Sequence, residues 1–215
     1  MDKVISIKDF KDQLKDGLSI MVGGFMAVGT PEQLIDAVVE SNVKNLTIIC
    51  NDAGFIDKGV GKLIANKQVK KLIASHIGLN PKAGELMSSG ELEIELVPQG
   101  TQIERIRCGG NGLGGFYTPT GIGTMVEEGK EIKTINGVDY LLELPLHADL
   151  ALLYGSTVDK FGNTMYTKTL RNFNPIMATA ADKVFVLARE YVNEIDPDII
   201  HTPHIFIDHI IKEVK

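Results

Sequence analysis

The chain is poor in the residues that most often announce a chemistry. It holds 2 cysteines, Cys50 and Cys108, in 215 residues. Two cysteines this far apart offer neither redox nor metal-ligand spacing and cannot build a disulfide framework, so a reduced, cytosolic protein fits. Positive charge is also short. The net charge is -6, which sets nucleic acid aside as a partner. The longest uncharged run, Cys108–Val126, contains seven glycines with Asn, Thr and Pro. It reads as a loop, so no membrane span is expected. The opening MDKVISIKDF has no apolar core of the signal-peptide kind. No G-x-S-x-G elbow is present. Five histidines are scattered, and Pro203 interrupts the pair His201-x-x-His204, denying it a continuous helical face; no metal is expected.

What remains is ordinary for a globular protein. Apolar residues make up 44% and charged residues 23%. The length suits one large domain, and no linker, repeat or low-complexity tail appears, so residues 1–215 are read as a single domain.

One stretch organises the reading: Asp16–Leu34, DGLSIMVGGFMAVGTPEQL. Leu18–Val22 is an apolar run of strand length, stopped by Gly23-Gly24, which a strand interior disfavours. The loop Gly23, Gly24, Phe25, Met26, Ala27, Val28, Gly29 follows. Thr30 can cap a helix, Pro31 suits its first position, and Gln33 can close a capping box. Leu34, Ile35, Val38 and Val39 then recur at helical spacing. A strand, glycine loop and helix in that order can receive an anion at the helix N-terminus. The same residues also suit a tight turn and nothing more. No lysine follows Gly29, so a Walker A loop is excluded, and the glycine spacing is not that of a dinucleotide fingerprint.

The rest of the chain alternates strands and helices. Ser6–Lys15 reads as a short amphipathic helix. Leu46–Cys50 is a doubly covered strand ending in the turn Asn51–Gly54. A helix over Lys62–Ala65, a strand from Lys71–Ala74 and a helix from Asn80-Pro81 follow. Leu92–Val97 alternates charge with apolar residues, as an edge strand does. Pro98–Thr101 reads as a turn, with Thr101 capping a helix through Ile103 and Ile106. Gly109–Gly123 reads as a loop wrapping a ligand or a partner, or as a long surface loop. Lys133–Leu142 predicts a hairpin on Asn136-Gly137. Leu150–Tyr154 and Lys183–Ala188 predict strands, Val158–Tyr166 a second hairpin, Phe173–Ala181 a helix and Phe206–Lys212 a final helix. This order predicts an α/β fold with a mainly parallel sheet flanked by helices. The loops Gly23–Gly29, Asn51–Gly54 and Pro98–Thr101 should share its carboxyl edge, where ligands bind.

A nucleophile is missing from this picture. Cys50 ends a buried strand, and Cys108 has no base assigned to it. Glu104 and Glu143 lie near glycine-rich loops without a context that activates them. The chain has binding loops and no catalyst of its own.

Several long blocks account for that mismatch. DGLSIMVGGFMAVGTPEQLI, NDAGFIDKGVGKLI, ELEIELVPQGTQIERIRCGGNGLGGFYTPTGIGT and RNFNPIMATAADKVFVLA together resemble, in order, the alpha subunit of the 3-oxoacid CoA-transferase family. The resemblance covers nearly the whole chain. It implies the sandwich shared with ribose-phosphate isomerases. It also implies transfer of coenzyme A, a substrate rather than a cofactor, between a short-chain acyl-CoA and a free carboxylate such as acetate, butyrate or acetoacetate. The family's nucleophile is a glutamate in a Ser-Glu-Asn-Gly motif of the beta subunit, and no Glu-Asn-Gly occurs here. A beta partner, in an alpha2beta2 assembly, is therefore implied, and this chain alone should be inactive. By the same resemblance, Gln99 is the active-site glutamine, Gly23–Gly29 contacts CoA, and the loop Gly109, Gly110, Asn111, Gly112 helps to close the site. Asn111 stands where the family often has Ala, and an asparagine tolerates a left-handed backbone. Two rivals are a sugar-phosphate isomerase of related fold and an acyl-CoA-sensing domain.

Overall fold

Buried apolar runs build the central sheet. In the computed structural model, which describes residues 3–214, the chain begins with α1 (Ile7–Lys11), capped by Ser6 in a capping box with Asp9. There follow β1 (Ser19–Val22), α2 (Glu32–Ser41), β2 (Leu46–Cys50), α3 (Gly61–Ala65), β3 (Val69–Ala74), α4 (Pro81–Ser88), β4 (Glu93–Leu96) and α5 (Gln99–Gly110). A small three-stranded antiparallel sheet comprises β5 (Phe116–Thr118), β6 (Ile132–Ile135) and β7 (Val138–Glu143), in the order β5-β7-β6. The chain then returns through β8 (Ala148–Asp159), β9 (Thr164–Met165), α6 (Asn174–Met177), β10 (Ala181–Val192) and β11 (His209–Lys212).

The main sheet runs β11-β10-β8-β1-β2-β3-β4, every neighbouring pair parallel, with β9 added antiparallel to β8. Strand order reverses at β1, so the crevice beyond β1 and β8 is the topological switch point where such sheets bind ligands. Alternate residues of the inner strands enter two cores. Ile20 and Val22 join Phe10, Leu34, Val38 and Leu63 on one face; Met21 joins Ile106, Phe173 and Met177 on the other. Helices thus cover both faces, as a parallel sheet requires. Among the described residues no helix is long and apolar enough to cross a membrane.

Several local expectations change. The first helix stops at Lys11. The N-cap of α2 is Pro31, without a side-chain cap, because Gln33 is drawn away to the backbone of Val214. Thr101 lies inside α5, whose N-cap is Pro98. The last segment is a strand, not a helix: Ile210 and Ile211 are buried on opposite faces beside β10, so apolar neighbours alternate with period two. Strands β8 and β10 exceed the expected runs because they pair with each other from Ala148 and Ala181 to Asp159 and Val192. The helix expected over Phe173–Ala181 is the four-residue α6. The Asn136-Gly137 hairpin forms as expected, with φ of 51° and 80° at its two central residues. β4 is an edge strand, with Glu95 held by Arg105 and Lys71.

Candidate active site

The three expected loops meet at the carboxyl edge of the sheet. Gly23 is required there because a Cβ at that position would sit 2.0 Å from Asn174 Oδ1. That oxygen accepts the Tyr154 backbone N–H (3.0 Å), a donor left over where β8 outruns β1, while Asn174 Nδ2 donates to the carbonyls of Gly29 and Leu170. A buried side chain thus replaces the missing strand and sets the loop against β8. Gly24 has φ of 126°.

Phe25 and Val28 exchange both backbone hydrogen bonds, at 3.0 and 2.9 Å. Met26 and Ala27 between them have φ of 48° and 63°. Non-glycine residues here carry strain of about 1–2 kcal/mol each. The surroundings hold it in place. Asp52 Oδ2 accepts the Met26 N–H at 2.8 Å, Asn172 Oδ1 accepts the Gly24 N–H, and Asn172 Nδ2 donates to the Val28 carbonyl. The turn pushes Phe25, Met26 and Val28 outward, each 40% exposed or more.

The second loop supplies the anchor. Asp52 Oδ1 accepts the Gly54 N–H, and Asn51 Nδ2 donates to Asp52 Oδ2 at 2.7 Å. Asn51, 2% exposed, turns its oxygen toward Gln99, whose Nε2 donates to it at 2.6 Å. Gln99 is the first residue of α5 and is itself exposed. Its second N–H and its oxygen stay available to a ligand, beside the uncapped first-turn N–H groups of the helix.

Two adjoining cavities open on this edge. One, of about 310 Å³, is lined by Phe25, Gln99, Gly100, Ile103, Asn172 and Phe173. The other, of about 530 Å³, is lined by Phe25, Met26, Val28, Thr169 and Asn172. Neither lining includes a carboxylate, thiol, imidazole, lysine or arginine. The site offers neutral donors and apolar surface.

Other candidates fall elsewhere. Burial pushes the Cys50 thiol well up, helped by the charge of Asp52, and its Sγ donates to the Asp52 carbonyl. Burial also raises the Cys108 thiol, with Glu104 adding to it. Neither is poised as a thiolate at neutral pH. Glu143 is buried and paired with Lys130 at 2.5 Å, and Glu104 is an exposed partner of Arg107. Among the described residues no group of three or more His, Cys, Asp and Glu side chains is placed to hold a metal ion.

Gly109 and Gly110 are the last residues of the helix that Gln99 begins, about 15–16 Å along its axis. They fit that end closely: a Cβ on Gly109 would meet the Leu146 carbonyl at 1.9 Å, and one on Gly110 would meet Thr179. Asn111 is the C-cap with φ of -101°, and the positive φ falls on Gly112 instead. Within this chain, then, the stretch expected to close the site packs at the opposite edge of the sheet. The sequence reading missed Asn172 and Asn174. Two asparagines flanking a phenylalanine before a proline are the available signal, since such side chains readily bond free backbone groups.

The model of the coenzyme A transferase family matches residues 4–213. The chain belongs to the coenzyme A transferase family. Within it, the chain is 54% identical over 211 residues to the acetate CoA-transferase subunit alpha of Escherichia coli K12, covering 97% of this chain and 96% of that one. It is 53% identical over 213 residues to the acetoacetyl-CoA:acetate/butyrate CoA transferase alpha subunit of Clostridium acetobutylicum, covering 98% of each. An acyl-CoA transferase of Escherichia coli O157:H7, solved as a thioester complex with CoA, superposes with a TM-score of 0.87 at 19% identity. It shares the fold, and the match spans 99% of this coenzyme A transferase chain but 47% of the other.

Proposed function

We propose that this chain is the alpha subunit of a heteromeric CoA-transferase, moving CoA between a short-chain acyl-CoA and a free carboxylate such as acetate, butyrate or acetoacetate. One observation carries the reading. The cavity beside Gln99 is lined by amide donors and apolar groups and lacks any nucleophile. A site of that kind stabilises charge that another chain creates. The nucleophile is a glutamate of a beta subunit facing this edge in a cytoplasmic alpha2beta2 assembly.

The chemistry then follows. The glutamate carboxylate adds to the thioester carbonyl, and the C–S bond breaks to leave an acyl-glutamyl anhydride and CoA thiolate. The thiolate attacks the glutamyl carbonyl, releases the first acid as carboxylate and leaves a glutamyl-CoA thioester. A second carboxylate reverses the sequence. Each addition passes through an oxyanion. The free N–H of Gln99 is positioned to donate to such an oxygen, and a neutral donor stabilises it without attracting the attacking carboxylate. The glycine loop and the 530 Å³ cavity, with their apolar rim, receive the thiol-bearing arm of CoA. An isomerase of phosphorylated sugars is disfavoured, because no lysine or arginine lines either cavity.

Two measurements test this. Butyryl-CoA with acetoacetate should turn over only when the chain is co-expressed with its beta partner; turnover by the chain alone would overturn the division of labour. Gln99→Ala should lower kcat about 100-fold in the assembled enzyme, the order seen when one oxyanion donor is lost. An unchanged kcat would remove Gln99 from the mechanism.

A further inference from the structure

We infer that Asn51 is a positioning residue for Gln99 and that Asp52 fixes which way round Asn51 lies; this rests on the role of Gln99 proposed above. The argument is one of hydrogen-bond polarity. Ionised, the Asp52 carboxylate accepts hydrogen bonds and donates none. Its Oδ2 therefore takes the amide end of Asn51, at 2.7 Å, and the Met26 backbone N–H, at 2.8 Å. With Nδ2 turned to Asp52, Asn51 has its oxygen facing the other way. That oxygen accepts from Gln99 Nε2 (2.6 Å), and Ser75 Oγ, which donates to the Asn51 backbone carbonyl at 2.7 Å, lies 3.2 Å from it. Gln99 must then present Nε2 to Asn51. One N–H is used in the contact, while the other N–H and the oxygen are directed to the cavity.

An exposed glutamine alone would sample many rotamers and both amide orientations. Here a residue that is 2% exposed selects one. Asn51 lines neither cavity beside Gln99, so its effect on turnover passes through Gln99. The same Asp52 oxygen also holds the strained Met26-Ala27 turn, so the glutamine and the apolar loop tip share one anchor.

The test uses the co-expressed enzyme. Asn51→Ala should lower kcat about tenfold, with KM for acyl-CoA and assembly unchanged. In a Gln99→Ala background the same substitution should cost nothing more, because residues acting through one group are not additive. Equal losses in both backgrounds, or no loss from Asn51→Ala alone, would overturn the inference while leaving the CoA-transferase reading intact. Failure of that reading shows separately, as an inactive wild-type assembly or a fully active Gln99→Ala. A second readout needs no activity. With the alpha chain 15N-labelled, the Gln99 side-chain amide, assigned by its loss in Gln99→Ala, should give one dispersed pair of signals with slowed proton exchange. Asn51→Ala should collapse it to the random-coil position; an unmoved pair would overturn the inference. Should Asn51→Ala fail to assemble, the wild-type enzyme decides: a Gln99 side-chain pair already at the random-coil position with fast proton exchange would overturn the inference.

Discussion

Two loops of this protein are written almost alike and are built differently. Gly24-Phe25-Met26-Ala27-Val28-Gly29 follows β1, and Gly54-Phe55-Ile56-Asp57-Lys58-Gly59 follows β2. In each, the phenylalanine is bridged to the residue three further on, and outward-facing central residues lie between buried ends. The loops pack so closely that a void of only about 10 Å³ separates them. In the second loop the left-handed positions fall on Gly54 and Gly59, which adopt them freely. Its tip carries Asp57 and Lys58, and it lines neither large cavity. In the first, Met26 and Ala27 hold positive φ as well as Gly24 and Gly29. Its tip is apolar and lines both cavities. A shared pattern makes a loop; what distinguishes the one that opens on the cavities is apolar tip residues and strain held by the neighbour. Asp52, at the root of the second loop, does that holding.

The largest effect should come from breaking the shared anchor. Asp52→Ala leaves the Met26 and Gly54 N–H groups and the Asn51 amide without their acceptor. A loss of about 2–4 kcal/mol in urea denaturation is expected, with reduced turnover. A variant as stable as wild type would show that the loops hold themselves. Next in size is a contrast of sign. Ala27→Gly relieves a left-handed alanine and should stabilise by about 0.5–1 kcal/mol. Ile56→Gly, where φ is not positive, should destabilise by a similar amount. Thermal melts moving in the same direction would refute the claim that strain separates the two loops.

The smallest effect concerns the link between the helices behind the loops. Glu32, in the first turn of α2, accepts the Gly59 N–H, and Lys62 of α3 bridges Glu32 and Asp36 at 2.7 and 2.6 Å. Partial burial lowers the Lys62 pKa, but the two carboxylates outweigh it and the net direction is upward. A raised lysine contributes fully below its unfolded pKa near 10.4, and the contribution fades as pH rises through the folded value. Lys62→Met should therefore cost about 0.5 kcal/mol at pH 7. The gap from wild type should close in alkaline solution, as read from urea midpoints across pH. A gap that widened there would reverse the assignment.

Legibility followed the reach of each interaction. Contiguous apolar runs such as Leu46–Cys50, the Asn136-Gly137 hairpin and the α/β alternation were readable because they depend on neighbours in sequence. So were the three loops at the carboxyl edge, since parallel order places them there. Boundaries set by distant partners were not. Gln33 was read as a capping residue and is taken by Val214, 181 positions away. The closing segment was read as a helix because Ile207, Ile210 and Ile211 suit helical spacing as well as a strand, and only the open edge of β10 decides between them. Gly109 and Gly110 were read as part of a glycine-rich loop and, by resemblance, with the site; within this chain helix α5 extends through them and carries them to its far end.

By itself, then, the sequence determined the fold class, the glycine loop after β1 and, by resemblance, the glutamine to examine, because composition, periodicity and long motifs act locally and in order. Tertiary structure alone decided that Asn174 would stand in for a missing strand residue, that Asp52 would hold a strained turn in another loop, and that Asn51 would face Gln99, 48 positions away. Those choices satisfy buried donors and acceptors. A partner for a buried polar group is chosen by which atoms the folded chain brings within 3 Å, and sequence separation does not enter that choice.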